Sequence, residues 1–137
     1  MSAVELAAAA SRCLESWVSG DFATTRALLS DDVTFAGPMA ATEGADDYVS
    51  GVERMSEMVT GVELQRLIVE GDDVCIMYDL LAEEAGPLHT VGWYHFRDDK
   101  IDSVRAYFDP RPLTEKKQPP QGGFPQFAAS LQVCADI

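Results

Sequence analysis

The chain has 137 residues, a length that fits one domain, and its 23 acidic against 10 basic residues give a formal net charge of −13. A field of that sign repels phosphate backbones and anionic lipids, so we expect neither nucleic acid nor a membrane surface as a partner. Apolar residues make up 47% of the chain, enough for a core without disulfides or metals at this length.

The cysteines give no sign of a metal site. Cys13, Cys75 and Cys134 lie far apart and form no CxxC pair or cluster with histidine, which argues against zinc and against a disulfide framework. The first residues lack a basic leader, and no apolar run reaches the ~18 residues that span a bilayer. We expect a cytoplasmic protein that needs no cofactor.

The first predicted helix covers residues 3 to 18 and has one continuous apolar face. Gly20 is a natural C-terminal stop, and the Asp21 side chain can cap a second helix from 22 to about 29. Four apolar side chains recur on the first helix at helical spacing: Leu6, Ala10, Cys13 and Trp17.

A short strand and a third helix follow. Residues 33 to 36 are β-branched and aromatic enough for a strand, which Gly37-Pro38 interrupts. The third helix is predicted from residue 45 to about 58. Its apolar stripe consists of Ala45, Tyr48, Val52, Met55 and Val59.

From Val62 onward the apolar period becomes that of strands. Gly71-Asp72-Asp73 and Asp98-Asp99 have the composition of tight hairpin turns. The order α-α-β-α-β-β-β-β predicts an α+β fold with the helices on one face of a largely antiparallel sheet. The four strands are predicted over residues 62–70, 74–82, 89–97 and 100–108.

Residues 113–137 form a tail after this domain of residues 1–112. The tail contains the Pro/Gly spacer QPPQGG at 118–123. Two alternatives stay open, disorder or a short helix that covers the pocket or a partner subunit. The apolar face of such a helix would consist of Phe124, Phe127, Leu131 and Cys134.

Three motifs in a fixed order resemble one family. They are CLESWVSGD at 13–21, LLSDDVTF at 28–35 followed by Gly37-Pro38, and FRDDKI at 96–101. Their order and spacing are similar to the SnoaL-like branch of the nuclear transport factor 2-like superfamily. The resemblance implies a cone-shaped α+β barrel in which a strongly curved mixed or antiparallel sheet wraps around the first helix. It also implies a homodimer through the convex sheet face.

The superfamily includes ketosteroid isomerases, polyketide cyclases, limonene-epoxide hydrolases and pocket proteins with no known reaction, so fold alone does not assign an activity. By this resemblance, the isomerase base matches Gly37 and its helix-borne oxyanion tyrosine matches Cys13. The acid of the penultimate strand matches Gly92 or, with a shifted gap, Tyr94. Ala106 replaces a carboxylate of the epoxide hydrolases. The sequence supports none of these three reactions and leaves open whether the protein is an enzyme.

Asp79 is the candidate catalytic residue, because it is the only charge in the apolar run Val74–Leu81 and must be paired or shift its pKa upward. If it faces the cavity with Met77, it could act as a general acid or base. On the opposite phase it would lie on the convex face and pair with His95 or Arg105. Both faces of the strand are apolar, so the phase stays open, with the paired arrangement favoured.

The sequence predicts a small-molecule pocket protein that binds an apolar or carbonyl-bearing ligand, with acid/base chemistry through Asp79 as a possibility. The alternative is a non-enzymatic dimeric module whose cavity is filled by its own side chains. Gly37 and Gly92 would enlarge a cavity. The candidate ligand-binding residues are Cys13, Trp17, Tyr48, Met55, Met77, Tyr94 and Phe108.

Overall fold

The computed structural model describes residues 1–114 and has an α+β fold. The predicted order of helices and strands is confirmed, and the short elements β2 and α4 are additional. The helices are α1 (Ala3–Val18), α2 (Phe22–Leu28), α3 (Ala45–Ser56) and α4 (Arg111–Thr114). The strands are β1 (Leu29–Ala36), β2 (Ala41–Glu43), β3 (Val59–Glu70), β4 (Asp73–Ala82), β5 (Gly86–Arg97) and β6 (Lys100–Phe108).

Several predicted boundaries were wrong by a few residues. β1 begins at Leu29 and not at residue 33, because Leu29 and Val33 are both buried while Asp31 and Asp32 between them are exposed. Likewise, α3 ends at Ser56 and β3 begins at Val59, three residues earlier than predicted. A polar stretch on an exposed strand face therefore looked like a loop in the sequence.

Helix α1 is defined at both ends by local hydrogen bonds. Ser2 and Glu5 form a reciprocal capping box at its N-terminus. The chain leaves the helix at Ser19 and turns through Gly20 at φ 88°, a conformation that suits glycine. The predicted apolar face of the helix is confirmed, because all four of its residues are buried.

Two buried hydroxyls join α1 to α2. The Ser16 Oγ and Thr25 Oγ1 atoms lie 2.6 Å apart, and Ser16 also donates to the Cys13 carbonyl at 2.8 Å. Asp21 caps α2 by accepting from the Thr24 backbone N–H, as predicted. The contact between the first two helices therefore includes a polar pair inside the core.

All six strands form one mixed sheet in the order β2-β1-β6-β5-β4-β3. Strand β1 runs parallel to β6, with Ala36 opposite Arg105, and every other pairing is antiparallel. The predicted hairpin turns are present, and Asp98 and Asp99 in the second turn both have positive φ. The sheet curls around the helices without closing into a barrel.

The two faces of the sheet differ in what they cover. The inner face packs on α1 and α3, and its buried residues include Tyr78 on β4, Tyr94 on β5 and Val104 on β6. Tyr94 and Phe96 point inward while Trp93 points outward. The core therefore lies between the concave sheet face and the helices.

No helix within residues 1–114 is long and apolar enough to cross a membrane. The same residues contain no group of three or more His, Cys, Asp or Glu that could hold a metal ion. The tail predictions from residue 115 on, including the apolar face Phe124, Phe127, Leu131 and Cys134, lie outside the described residues.

Candidate functional site

A cavity of about 280 Å³ opens between the concave face of the sheet, α1 and α3. Its closed end is formed by buried residues, and its mouth by exposed ones. The lining residues that argue for a function are Trp17, Phe35, Thr42, Tyr48, Arg54, Met55, Tyr78, Tyr94, Ala106 and Phe108. A hollow of this size and apolar lining suits one small organic molecule.

Three tyrosines, which we call the tyrosine floor, lie at the closed end. Tyr48 comes from α3, Tyr78 from β4 and Tyr94 from β5, and each is at most 5% exposed. Within residues 1–114 the Tyr78 and Tyr94 hydroxyls have no hydrogen-bond partner. A tyrosine whose ring is buried and whose hydroxyl makes no hydrogen bond to the protein can donate to a molecule that enters the cavity.

The tyrosine floor holds protons tightly. Burial raises the pKa of Tyr48, Tyr78 and Tyr94 far above the phenol's ordinary value, and the proximity of these groups to one another and to Cys13 raises it further. At neutral pH all three phenols are therefore uncharged hydrogen-bond donors. The floor can donate to an oxygen atom but cannot remove a proton from a ligand.

Gly92 makes room for two of these rings. A Cβ atom at this position would lie 3.0 Å from Cε1 of Tyr94 and 3.2 Å from Cε1 of Tyr78. The absent side chain at Gly92 is thus replaced by aromatic rings, and the expectation that it enlarges the cavity was wrong. Gly37 does line the cavity, near its mouth.

Apolar side chains form the walls. The Phe35 and Tyr48 rings meet edge to face with centroids 5.7 Å apart, which fixes the Tyr48 ring against β1. Trp17 from α1 and Phe108 from β6 close the wall on either side. These apolar walls lower the polarity around the floor and increase the strength of any hydrogen bond made there.

The mouth carries the exposed lining residues. Met39 and Met58, 49% and 45% exposed, lie there with the guanidinium-bearing Arg54. Just inside, the Thr42 hydroxyl is buried and has no partner within the described chain, whereas Thr90 donates to the Leu88 carbonyl. Methionine is a flexible apolar side chain that adapts to different ligand shapes.

Five of the predicted ligand-binding residues line the cavity. They are Trp17, Tyr48, Met55, Tyr94 and Phe108. Cys13 is fully buried beside Tyr48 and outside the lining, and burial raises its pKa to about 12, so its thiol stays protonated. Met77 was wrongly placed, because β4 buries Val74, Ile76, Tyr78 and Leu80 and directs Met77 to the outer face.

Asp79 shares that outer face and is absent from the cavity lining. Its carboxylate is 18% exposed and lies 2.7 Å from Nδ1 of His89, and the Gln65 side-chain amide donates to it at 3.3 Å. The convex arrangement is the one adopted, but the partner is His89 and neither His95 nor Arg105. His95 pairs instead with Asp102 at 2.6 Å, and Arg105 stacks on Trp93.

The positions at which the resembled enzymes carry acids all lie at the cavity. Gly37 and Ala106 line it, and Gly92 lies beside the tyrosine floor. None of the three has an ionisable side chain. Among the described residues, the lining contains no carboxylate and no imidazole, and its only charge is Arg54.

The sequence reasoning missed Tyr78, Phe35 and Arg54. Tyr78 was overlooked because both faces of β4 are apolar, so the strand's phase could not be read from its pattern. The burial of its immediate neighbours now fixes that phase. Arg54 had no sequence signal, since an arginine in the last turn of a helix is common on any surface.

Comparison with known proteins agrees with this architecture. The family model for a SnoaL-like domain matches residues 10–104. No functionally curated protein matches the chain. A crystal structure of an NTF2-like protein of unknown function from Cytophaga hutchinsonii is 29% identical with a TM-score of 0.69, over 78% of this chain and 92% of that one.

Two further structures share the fold at lower identity. An LEH-like epoxide hydrolase from M. tuberculosis is 22% identical with a TM-score of 0.69, over 81% of this chain and 87% of that one. A de novo designed protein with a curved β-sheet is 20% identical with a TM-score of 0.74, over 81% and 90%. These two likenesses show the fold alone.

Proposed function

The chain belongs to the SnoaL-like family, and from this premise we propose that it binds a small, mostly apolar molecule with a hydrogen-bond-accepting oxygen, such as a carbonyl. The family's fold commonly encloses a small-molecule site. One observation carries the proposal for this chain: three protonated phenols converge at the closed end of an apolar hollow. Two of them, Tyr78 and Tyr94, make no hydrogen bond to the described residues, and donors without acceptors select a ligand that supplies the acceptor.

We propose binding and not acid/base turnover as the activity of this cavity. Proton transfer needs a group whose pKa lies near the working pH and that reaches the ligand. The described lining offers only phenols with raised pKa values and one guanidinium, and Asp79 lies on the other side of the sheet. A bound carbonyl group would be held and polarised, but no group in the described lining would remove a proton from the carbon beside it.

A ligand screen followed by matched variants tests the proposal. Steroid, terpenoid and aromatic ketones are screened by thermal shift, and the corresponding hydrocarbons serve as controls. We expect a ketone to raise the melting temperature more than its hydrocarbon. In Tyr94→Phe and in Tyr78→Phe, the Kd of the ketone should rise by about tenfold while that of the hydrocarbon stays the same. Each variant removes one hydrogen-bond donor to a desolvated oxygen.

Tyr107→Phe is the matched control, since Tyr107 is exposed on the outer face of β6. It should leave the ketone's affinity unchanged. If ketone and hydrocarbon bind equally to the wild type, or if the Tyr94 and Tyr78 variants bind as the wild type does, the carbonyl proposal fails.

The second candidate function is a dimeric module, and the outer sheet face favours it. Ile68, Trp93 and Tyr107 are large apolar residues exposed there, and the half-buried Met77 and Val91 share the face. A patch of this kind on a soluble protein marks an interaction surface. We propose that a second copy covers it, as the resemblance implies. Ligand binding and dimer formation are compatible, because they use opposite faces of the sheet.

Light scattering on Ile68→Glu and Tyr107→Glu tests the dimer. Each variant places a charge in the patch, so the wild type should be dimeric and the variants monomeric at micromolar concentration. Val4→Glu on α1 is the control, since Val4 is exposed away from this face. A wild type that is monomeric at the same concentration would contradict the dimer proposal.

We also propose the cytoplasm as the location, because Cys13 and Cys75 are free thiols.

A further inference from the structure

We propose that the ligand is an anion, a mostly apolar keto acid. Arg54 holds its carboxylate at the cavity mouth, while its ketone oxygen accepts a hydrogen bond from the tyrosine floor. This inference rests on the proposed binding function and adds the ligand's charge and orientation. Nothing in the fold requires it, because the floor alone would accept a neutral ketone. It follows from one side chain at the mouth.

Arg54 is the only charged residue in the described lining of the cavity. Its sign is opposite to that of the chain, whose formal net charge is −13. Among the described residues, arginines with and without an ion-pair partner both occur on this surface, and Arg54 is one without a partner. Arg26 pairs with Asp31, and Arg97 pairs with Asp32.

Within residues 1–114 Arg54 makes no ion pair and no hydrogen bond through its guanidinium, although Glu57 follows one turn later. Arg54 is therefore an unused planar donor set at the mouth of an apolar hollow. Guanidinium groups bind carboxylates through two parallel hydrogen bonds, which makes them selective for this group.

The backbone at the mouth does not attract anions by itself. Arg54 lies in the last turn of α3, and the C-terminal end of a helix carries partial negative charge. Removing Arg54 would leave a mouth that repels a carboxylate. The preference for an acid thus depends on this one side chain, and a single substitution can test it.

The exposure of the lining residues sets the ligand's orientation. The mouth residues Met39, Met58 and Arg54 are exposed, Val52 and Met55 are half-buried, and the tyrosine floor is buried. Charge is therefore available only where water is, and neutral donors only where water is excluded. An ion costs least at the mouth, and a neutral carbonyl gains most at the floor.

The experiment compares three probes by calorimetric titration of the full-length protein. β-Benzoylpropionic acid carries both the ketone and the carboxylate, its methyl ester keeps only the ketone, and γ-phenylbutyric acid keeps only the carboxylate. The proteins are the wild type, Arg54→Gln and Arg66→Gln. Arg66 is exposed on β3, so its variant changes the net charge equally at a position outside the cavity lining.

We expect the wild type and Arg66→Gln to bind the keto acid about tenfold more tightly than its ester, with a preference that weakens as salt is added. Arg54→Gln should bind acid and ester equally, through a loss of affinity for the acid alone. Equal binding of acid and ester by the wild type, or an unchanged ratio in Arg54→Gln, overturns the inference.

The outcomes separate this inference from the proposed function. If the ester binds as well as the acid and γ-phenylbutyric acid binds weakly, the ketone site stands and the anion site falls. If both acids bind equally and the ester fails, the anion site stands and the ketone site falls. If none of the three probes binds the wild type at millimolar concentration, both fall.

Discussion

Gly92 and Tyr94 are neighbours on the inner face of β5, and the Tyr94 ring fills the space above the Gly92 Cα atom. A Cβ atom at position 92 would lie 3.0 Å from the Tyr94 ring and 3.4 Å from its hydroxyl. Because Gly92 has no side chain, the Tyr94 ring can lie over it, and this position of the ring places the Tyr94 hydroxyl in the tyrosine floor.

Gly92→Ala is expected to lower the free energy of unfolding by about 1–3 kcal/mol, since two packed rings must move to admit a methyl group. It should also weaken ketone binding by displacing the Tyr94 hydroxyl. Gly51→Ala is the matched control: Gly51 lies in α3 with no atom within 4 Å of its Cβ position. That variant should stabilise the protein by about 0.5–1 kcal/mol. Urea unfolding of both variants measures the difference, and a Gly92→Ala protein as stable as the wild type would contradict the packing argument.

Asp79→Asn is expected to leave ligand affinity within about twofold of the wild type, because the side chain lies on the outer face of β4 and off the cavity. The exposed pair with His89 should contribute little to stability. A double-mutant cycle of Asp79→Ala and His89→Ala should give a coupling of about 0.2–1 kcal/mol. Loss of ligand binding in Asp79→Asn, with the fold intact, would show that this carboxylate takes part in ligand binding.

His95 predicts a pH dependence of stability. The hydrogen bond to Asp102 raises its pKa above 6.5, the charges of Asp102, Asp73 and Asp72 add to the rise, and partial desolvation opposes it. A group whose pKa is raised on folding stabilises the fold fully below its unfolded pKa, and this contribution is lost as the pH rises through the folded pKa. Arg97, which also lies 3.7 Å from Asp102, remains charged throughout.

His95→Gln should therefore lower the melting temperature at about pH 5.5 and have little effect at about pH 9. Melting curves of both proteins across this range provide the measurement. His89→Gln, on the same strand but far more exposed, serves as the control. If the melting temperature of His95→Gln is lower than that of the wild type by the same amount at every pH, the His95 ring stabilises the fold by packing and not by charge.

Thr25→Val tests the polar contact between α1 and α2. The Thr25 side chain is fully buried, and its hydroxyl lies 2.6 Å from that of Ser16. We expect a loss of about 1–3 kcal/mol of unfolding free energy, because valine keeps the shape but leaves a buried hydroxyl short of one partner. Thr34→Val, at an exposed position of β1, should change stability by less than about 0.5 kcal/mol. Equal effects from the two variants would show that the buried hydroxyl pair contributes nothing.

The elements with strong local signals were predicted well. Helix α1 has a capping box, a single apolar face and a glycine stop, and its predicted range of 3 to 18 matches the structure. The hairpin turns at Gly71 and at Asp98-Asp99 were also predicted, because their residues tolerate positive φ. These features depend on a few neighbouring residues, and a single sequence contains that information.

The cavity depended on information that is not local. Strand β4 carries Cys75 and Met77 on one face and Ile76 and Tyr78 on the other, so its apolar pattern is compatible with either orientation. Sheet pairing and the helices decide which face is covered. The same holds for Arg54, because its place at the mouth follows from how α3 lies across the sheet. The sequence shows which side chains can bind or donate, but only the fold shows which of them lie at the cavity.

The parallel pairing of β1 with β6 has a consequence for synthesis. Its partners, such as Leu29 and Ile101, come from opposite ends of the described chain, and β6 also supplies Val104, Ala106 and Phe108 to the cavity wall. While the ribosome is still adding β6, α1 to β5 can collapse but lack that wall. The nascent protein therefore exposes Phe35 and Tyr48 until β6 is released, and a chaperone is expected to bind it in this interval.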